Sequence, residues 1–176
     1  MAGYDNLDLL EYLVSRLKKI RGKKALQKIM YFLNEVIGRP YTFRWWKYGP
    51  FSKELYDDMD LLLFMGKMEY DPDGPEITIS KFIERSQIPP EIEKRIDVIL
   101  RKLEEFTDYK PFELELLASV HFLRNYAYDL EKKDDVRRIR WILNIFKGDK
   151  KYTEGQVKRA LKQVKELEKL MKKWGG

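Results

Sequence analysis

The chain has 176 residues, an apolar share of 44% and a formal net charge of +6. That length fits one domain of ordinary size or two small ones, with enough apolar side chain for a real core. Zero cysteines exclude disulfides and thiolate metal sites, and no run of about 18 apolar residues marks a membrane span.

The N-terminus lacks a basic and then apolar leader, so a cytoplasmic protein is expected. Charged residues reach 36%, with a single histidine, a composition of heat-adapted type. Residues 1–87 hold 14 basic and 13 acidic side chains, and residues 88–176 hold 21 and 16. The excess of positive charge therefore sits in the second half, and a basic chain can meet nucleic acid or an acidic partner.

In chain order, Asp5 is an N-cap for a helix over about 6–20, with Leu10, Leu13, Val14 and Leu17 at helical spacing. A second helix, about 23–37, carries Leu26, Ile29, Met30, Leu33 and Ile37 on one stripe and stops at Gly38 and Pro40. Tyr41–Ser52 packs six aromatics, five of them before Gly49, into one short run and reads as a half-buried strand. Alternation puts Tyr41, Phe43 and Trp45 on one face and Thr42, Arg44 and Trp46 on the other. Gly49-Pro50 is expected to end this strand at one sharp corner, with Pro50 presetting the next helix and Ser52 capping it. That third helix, about 52–66, buries Leu55, Met59, Leu62 and Leu63. Lys67–Tyr70 and Glu76–Ser80 flank Asp71-Pro72-Asp73-Gly74-Pro75 and predict a hairpin.

After Ser80 the chain reads as wholly helical, with helices over about 90–106, 111–128, 132–147 and 154–174. The third of these points Val136, Ile139, Leu143 and Phe146 inward, and a Thr153/Gln156 capping box opens the last. The fold class expected is α+β, predominantly α-helical. A winged-helix-like part spans 1–82, and a helical part spans 88–176 and packs on it, within one domain or as two.

Four candidate surfaces stand out. Arg16, Lys18, Lys19, Arg21, Lys23, Lys24 and Lys28 form a basic run with no acid before Glu35, suited to contacting duplex phosphates. The competing reading is ordinary exposed charge. In a groove-reading third helix, Ser52, Lys53 and Tyr56 would approach the bases, but Glu54, Asp57, Asp58 and Asp60 on that helix repel DNA and suit a protein partner better. Trp45, Trp46, Tyr48 and Phe51 are expected to be covered on both strand faces; an exposed tryptophan would instead mark an interaction patch. The lysines of the terminal helix are expected to face water. Chemistry has little support. His121 is expected to be structural, there is no phosphate-binding glycine loop, and no cofactor or metal is indicated.

Lys24-Ala25-Leu26-Gln27-Lys28-Ile29-Met30-Tyr31 resembles the Leu-Gln-Lys-hydrophobic-hydrophobic-Tyr helix of YwgA-like and Panacea-domain proteins. Tyr48-Gly49-Pro50-Phe51-Ser52 is similar to their aromatic-Gly-Pro corner, and Leu114–Ser119 resembles a downstream helix of the YwgA-like group. The resemblance covers about residues 20–70. It implies a mostly helical fold with a small sheet and, for Panacea-type relatives, an antitoxin role, neutralising a toxin encoded beside it by direct contact; many YwgA-like members have no assigned function. It supplies no catalytic residues. The function expected is a non-catalytic protein-binding regulator built on Trp45, Trp46, Tyr48, Tyr56 and Asp57. The alternative is a duplex-binding regulator, and a homodimer fits either.

Overall fold

A computed structural model describes residues 3–80, 87–127, 134–146 and 151–174. The first helix, α1 (Asn6–Leu17), opens with a capping box between Asp5 and Asp8. It ends earlier than its periodicity predicts, because Lys18 takes a positive φ and Lys19–Ile20 form a short strand, β1. Helix α2 (Gly22–Asn34) follows. Residues 44–51 make a two-stranded hairpin, β2 (Arg44–Trp46) and β3 (Gly49–Phe51), and then come α3 (Lys53–Phe64), β4 (Met68–Tyr70) and β5 (Ile77–Ile79). Four helices complete the described chain: α4 (Pro90–Thr107), α5 (Pro111–Tyr126), α6 (Val136–Ile145) and α7 (Glu154–Met171).

The class is α+β and predominantly helical. β1, β5 and β4 form an antiparallel sheet in that order, with Ile20 opposite Ile77 and Met68 opposite Ile79. A strand before α2, a helix α3 and a closing hairpin joined in this order make the N-terminal part winged-helix-like. The strand β1 went unseen in the sequence because two residues carry no periodicity.

Helix α2 is the axis of the molecule. From Ala25 to Asn34 every side chain is buried, and the helix packs against α5, α4, α3 and β3. At roughly 1.5–3 kcal/mol per large apolar side chain removed from water, Leu26, Ile29, Met30, Phe32 and Leu33 anchor the core. That core runs without a break from Leu9 on α1 to Met171 on α7, so the two sequence halves share it. The boundary expected at 81–90 falls largely outside the described residues.

The single aromatic strand expected over 41–52 is corrected. It is a hairpin, turning at Lys47–Tyr48, with Trp45 opposite Pro50 and Trp46 opposite Gly49. Pro50 therefore lies inside a strand of a two-stranded ribbon, where its missing N–H costs no ladder bond. It does not open α3. Ser52 does cap α3, accepting from the Leu55 N–H. Phe146, expected inward, is exposed just past the end of α6.

Candidate functional site

The Tyr41–Ser52 segment is held at both ends by side-chain amides of α2. Gln27 Nε2 donates to the Ser52 carbonyl (2.8 Å), and Gln27 Oε1 accepts from the Ser52 N–H (3.0 Å). Asn34, two turns on and on the same face, does the same at Tyr41, with both bonds at 2.9 Å. An amide side chain carries one donor and one acceptor, so each imitates the edge of a neighbouring strand. Between them, buried Lys28 donates from Nζ to the Pro50 carbonyl (2.6 Å). The Gln-Lys pair and the Gly-Pro-Phe-Ser stretch, 22 to 25 positions apart, are thus two halves of one joint.

The same joint reaches α5. Gly49 has φ +86°, and a Cβ there would overlap the Ser119 hydroxyl. The Tyr31 hydroxyl and His121 Nδ1 share a hydrogen bond (2.6 Å), and both residues are buried. Burial pushes the His121 pKa down to about 4, outweighing the upward pull of Glu168 and Glu35, so the ring is neutral and can accept that bond. The His121 ring packs edge-on against Tyr31 and Phe32, and Tyr31 in turn packs on Phe122.

Outside this joint the hairpin and α3 enclose an open cleft of about 740 Å³. Trp45, Trp46, Phe51 and Tyr56 form its apolar wall; Arg44, Lys53, Glu54 and Asp57 supply charge. Trp46 stacks at a tilt on Phe51 (6.3 Å between centroids), and Phe51 on Tyr56 (5.9 Å). Strand alternation explains the split between the tryptophans. Trp45 turns toward Phe122 and Phe146, whereas Trp46 is 63% exposed. The expectation that both strand faces are covered is therefore corrected: one face is open.

The expected residues fall into two groups. Trp45, Trp46, Tyr56, Asp57 and Lys53 meet around the cleft. Tyr48 does not; it sits at the turn, with Lys24 Nζ 4.6 Å from its ring centroid. Thr42 and Arg44 also line the cleft. They escaped notice because only hairpin register, which puts Arg44 opposite Phe51, brings them there.

The basic run does not form one open surface. Arg16 pairs with Asp97 (3.0 Å), Lys19 with Asp71 and Glu76 (both 2.7 Å), and Arg21 with Asp108 (3.7 Å). Lys23 meets Asp60, and Lys24 meets buried Glu115. Lys28 is inside the joint, and Lys18 is exposed. The α3 carboxylates are likewise engaged. Asp57 accepts from Lys53 (2.8 Å), Glu54 from the Ser52 hydroxyl (2.9 Å) and Asp58 from Tyr41 (2.7 Å).

Among the described residues no group of three or more His, Asp or Glu is placed to hold a metal ion, and no helix is long and apolar enough to cross a membrane. No protein-family model and no curated protein matches the chain.

Proposed function

We propose that the chain is a non-catalytic protein-binding regulator of YwgA-like or Panacea type, acting in the cytoplasm as the antitoxin to a protein encoded beside it, and that the Trp46–Phe51–Tyr56 cleft grips that partner. The observation that carries this reading is the exposed aromatic ladder on a rigid ribbon. Large aromatics presented on a fixed backbone lose little entropy on binding and are enriched among the residues that dominate protein interfaces. Lys53, Asp57 and Arg44 supply a polar rim around them. The joint between the Leu-Gln-Lys helix and the Gly-Pro-Phe-Ser stretch supports the family assignment, since it gives the two motifs one common physical purpose. The duplex-binding alternative draws less support, because the cations it needs are matched to carboxylates.

The test is co-expression with the product of the adjacent gene. A stable complex, relief of any growth arrest, and a loss of about 30-fold or more in affinity on Trp46→Ala or Tyr56→Ala support the assignment. A complex indifferent to both changes overturns the cleft, and no interaction with the adjacent product overturns the antitoxin role.

A further inference from the structure

The β2–β3 hairpin has two long edges, and only one of them is sealed. Its register sets Trp45 opposite Pro50 and, carried one step further, Phe43 opposite Ser52. In an antiparallel pair, residues that exchange both backbone bonds alternate with residues whose N–H and C=O point outward. Pro50 has no N–H to exchange, so Trp45–Pro50 is of the outward kind, and so is Phe43–Ser52 two positions on. On the β3 side, α2 takes these outward groups: Lys28 donates to the Pro50 carbonyl, and the Gln27 amide bonds both the N–H and the carbonyl of Ser52. On the β2 side, the matching groups are the N–H and C=O of Phe43 and Trp45, and among the described residues no group bonds to them. β3 lies against α5 and α2, whereas the main neighbour of β2 is β3 itself. Thr42, Arg44 and Trp46 along this edge are all exposed. In the cleft, Lys53 has Asp57 and Glu54 has the Ser52 hydroxyl, but Arg44 has no carboxylate beside it among the described residues.

We propose that the protein held in the cleft supplies an extended segment, which pairs antiparallel with the outer edge of β2 and turns the hairpin into a three-stranded sheet. The backbone pattern names the occupant. Two N–H donors and two C=O acceptors in one line are matched by another extended backbone, and not by a helix, whose own groups are engaged internally. Antiparallel pairing is the more stable per residue. Cross-strand neighbours share a face, so the side chains select the sequence. The residue opposite Trp46 is apolar and lies against the aromatic wall, and the residue opposite Arg44, two positions later in the segment, is acidic. The segment thus reads apolar-x-acidic. The β2 strand of a second copy fits less well: centred on Trp45, it would set Arg44 across from Trp46 and bring no anion. The proposal rests on the cleft as the gripping surface and adds what enters it, whichever gene encodes the partner.

The probe is the peptide Thr-Phe-Val-Glu-Val-Thr, acetylated and amidated at its ends, titrated into the full chain. It should bind with a dissociation constant below about 1 mM. N-methylation of its two valines, whose N–H groups face β2, should weaken binding at least about tenfold, whereas N-methylation of its phenylalanine and glutamate, whose N–H groups face away, should change it little. Arg44→Ala should weaken binding about three- to fivefold. Amide hydrogen exchange gives a second readout. In the free chain the Arg44 and Trp46 amides, which face β3, should exchange slowly and those of Phe43 and Trp45 fast, and the peptide should slow the latter two. No binding at about 1 mM overturns the proposal, as does equal sensitivity to the two methylation patterns. Phe43 and Trp45 amides already protected in a dimer of the free chain would put a second copy on the edge and overturn it too. A peptide that depends on Trp46 yet ignores N-methylation leaves the cleft standing and overturns the strand. Because the probe is a peptide and not the adjacent gene product, failure here is distinct from failure of the antitoxin assignment.

Discussion

Gln27 and Ser52 bond to each other twice, 25 positions apart, with the glutamine amide taking the place of a strand edge for the residue that caps α3. Because the amide is buried, removing it leaves the Ser52 N–H and carbonyl without partners in a dry interior. Each unsatisfied group costs about 1–3 kcal/mol. Gln27→Ala should therefore destabilise by roughly 2–4 kcal/mol. Gln27→Glu should also weaken the joint, since it keeps the acceptor and loses the donor to the carbonyl. Chemical denaturation of the two variants checks this. Loss of less than about 0.5 kcal/mol in both would show that the joint does not hold the hairpin.

Gly49 meets two constraints at once. Its φ of +86° disfavours any L side chain, and a Cβ would overlap Ser119, whose hydroxyl has no hydrogen-bond partner among the described residues. Gly49→Ala should cost several kcal/mol, or abolish folding. Adding Ser119→Gly removes the steric part and leaves the backbone part, on the order of 1 kcal/mol. Thermal melting of the single and double variants should show partial recovery in the double. No recovery would place the cost wholly in the backbone angle.

Helix positions were legible in the sequence wherever apolar residues recur over three or more turns, as at Leu26, Ile29, Met30 and Leu33 or at Val157, Leu161 and Val164, all of them buried. The capping signals at Asp5, Ser52 and Thr153 were equally plain, because a cap is a local event. The hairpin was not legible. Six aromatics in twelve residues resemble one strand, and the turn at Lys47–Tyr48 lacks the Asn-Gly or Asp-Gly pair that usually announces a two-residue loop. Most of the cleft could be read in advance, through Trp45, Trp46, Phe51, Lys53, Tyr56 and Asp57. The fate of the basic run could not. The partners of Arg16, Arg21 and Lys24 are Asp97, Asp108 and Glu115, all more than 80 positions away, and linear charge patterns carry no information about such pairs.

His121 links stability to pH. In the unfolded chain a histidine titrates near 6.5, whereas burial holds the folded-state value at about 4. Between those values the unfolded chain binds the extra proton, so stability rises with pH across that window and is lost as pH falls from 6.5 toward 4. The full effect of this one group is at most about 3 kcal/mol. The melting temperature should therefore drop between pH 7 and pH 4.5, and His121→Gln should flatten that drop while lowering stability at pH 7, where the Tyr31 bond is lost or altered. A wild-type and variant pair with parallel pH profiles would show that other groups govern the acid limb.

Lys24 and Glu115 set a different limit. The carboxylate is almost wholly buried, and the lysine reaches it from a half-exposed position beside Tyr48. Removing the cation breaks a buried ion pair from one side, which typically costs about 3–5 kcal/mol. Lys24→Met should cost that much, while Lys24→Met with Glu115→Gln should recover most of it. Denaturant midpoints of the four chains give the coupling directly. A single variant as stable as the double would mean that other groups hold the Glu115 carboxylate.

The pairing of the basic run also predicts how the protein behaves toward duplex DNA. Phosphate binding draws on cations free to exchange counter-ions, and the logarithm of the affinity falls with the logarithm of salt by about 0.9 per phosphate neutralised. Lys19, Lys23, Lys24 and Arg16 already face carboxylates, and Lys28 is buried in the hairpin joint. Binding them to phosphate would first break those pairs. Duplex affinity should therefore be weak even in dilute buffer, with a slope below that of two or three phosphates. Lys18→Glu with Lys19→Glu should change it little. These exposed positions are the ones to vary, because reversing Lys28 would dismantle the joint and confound the result. A steep salt slope abolished by the Lys18 and Lys19 reversals would mean that the ion pairs open on contact with DNA, and that the basic run is a phosphate-binding surface after all.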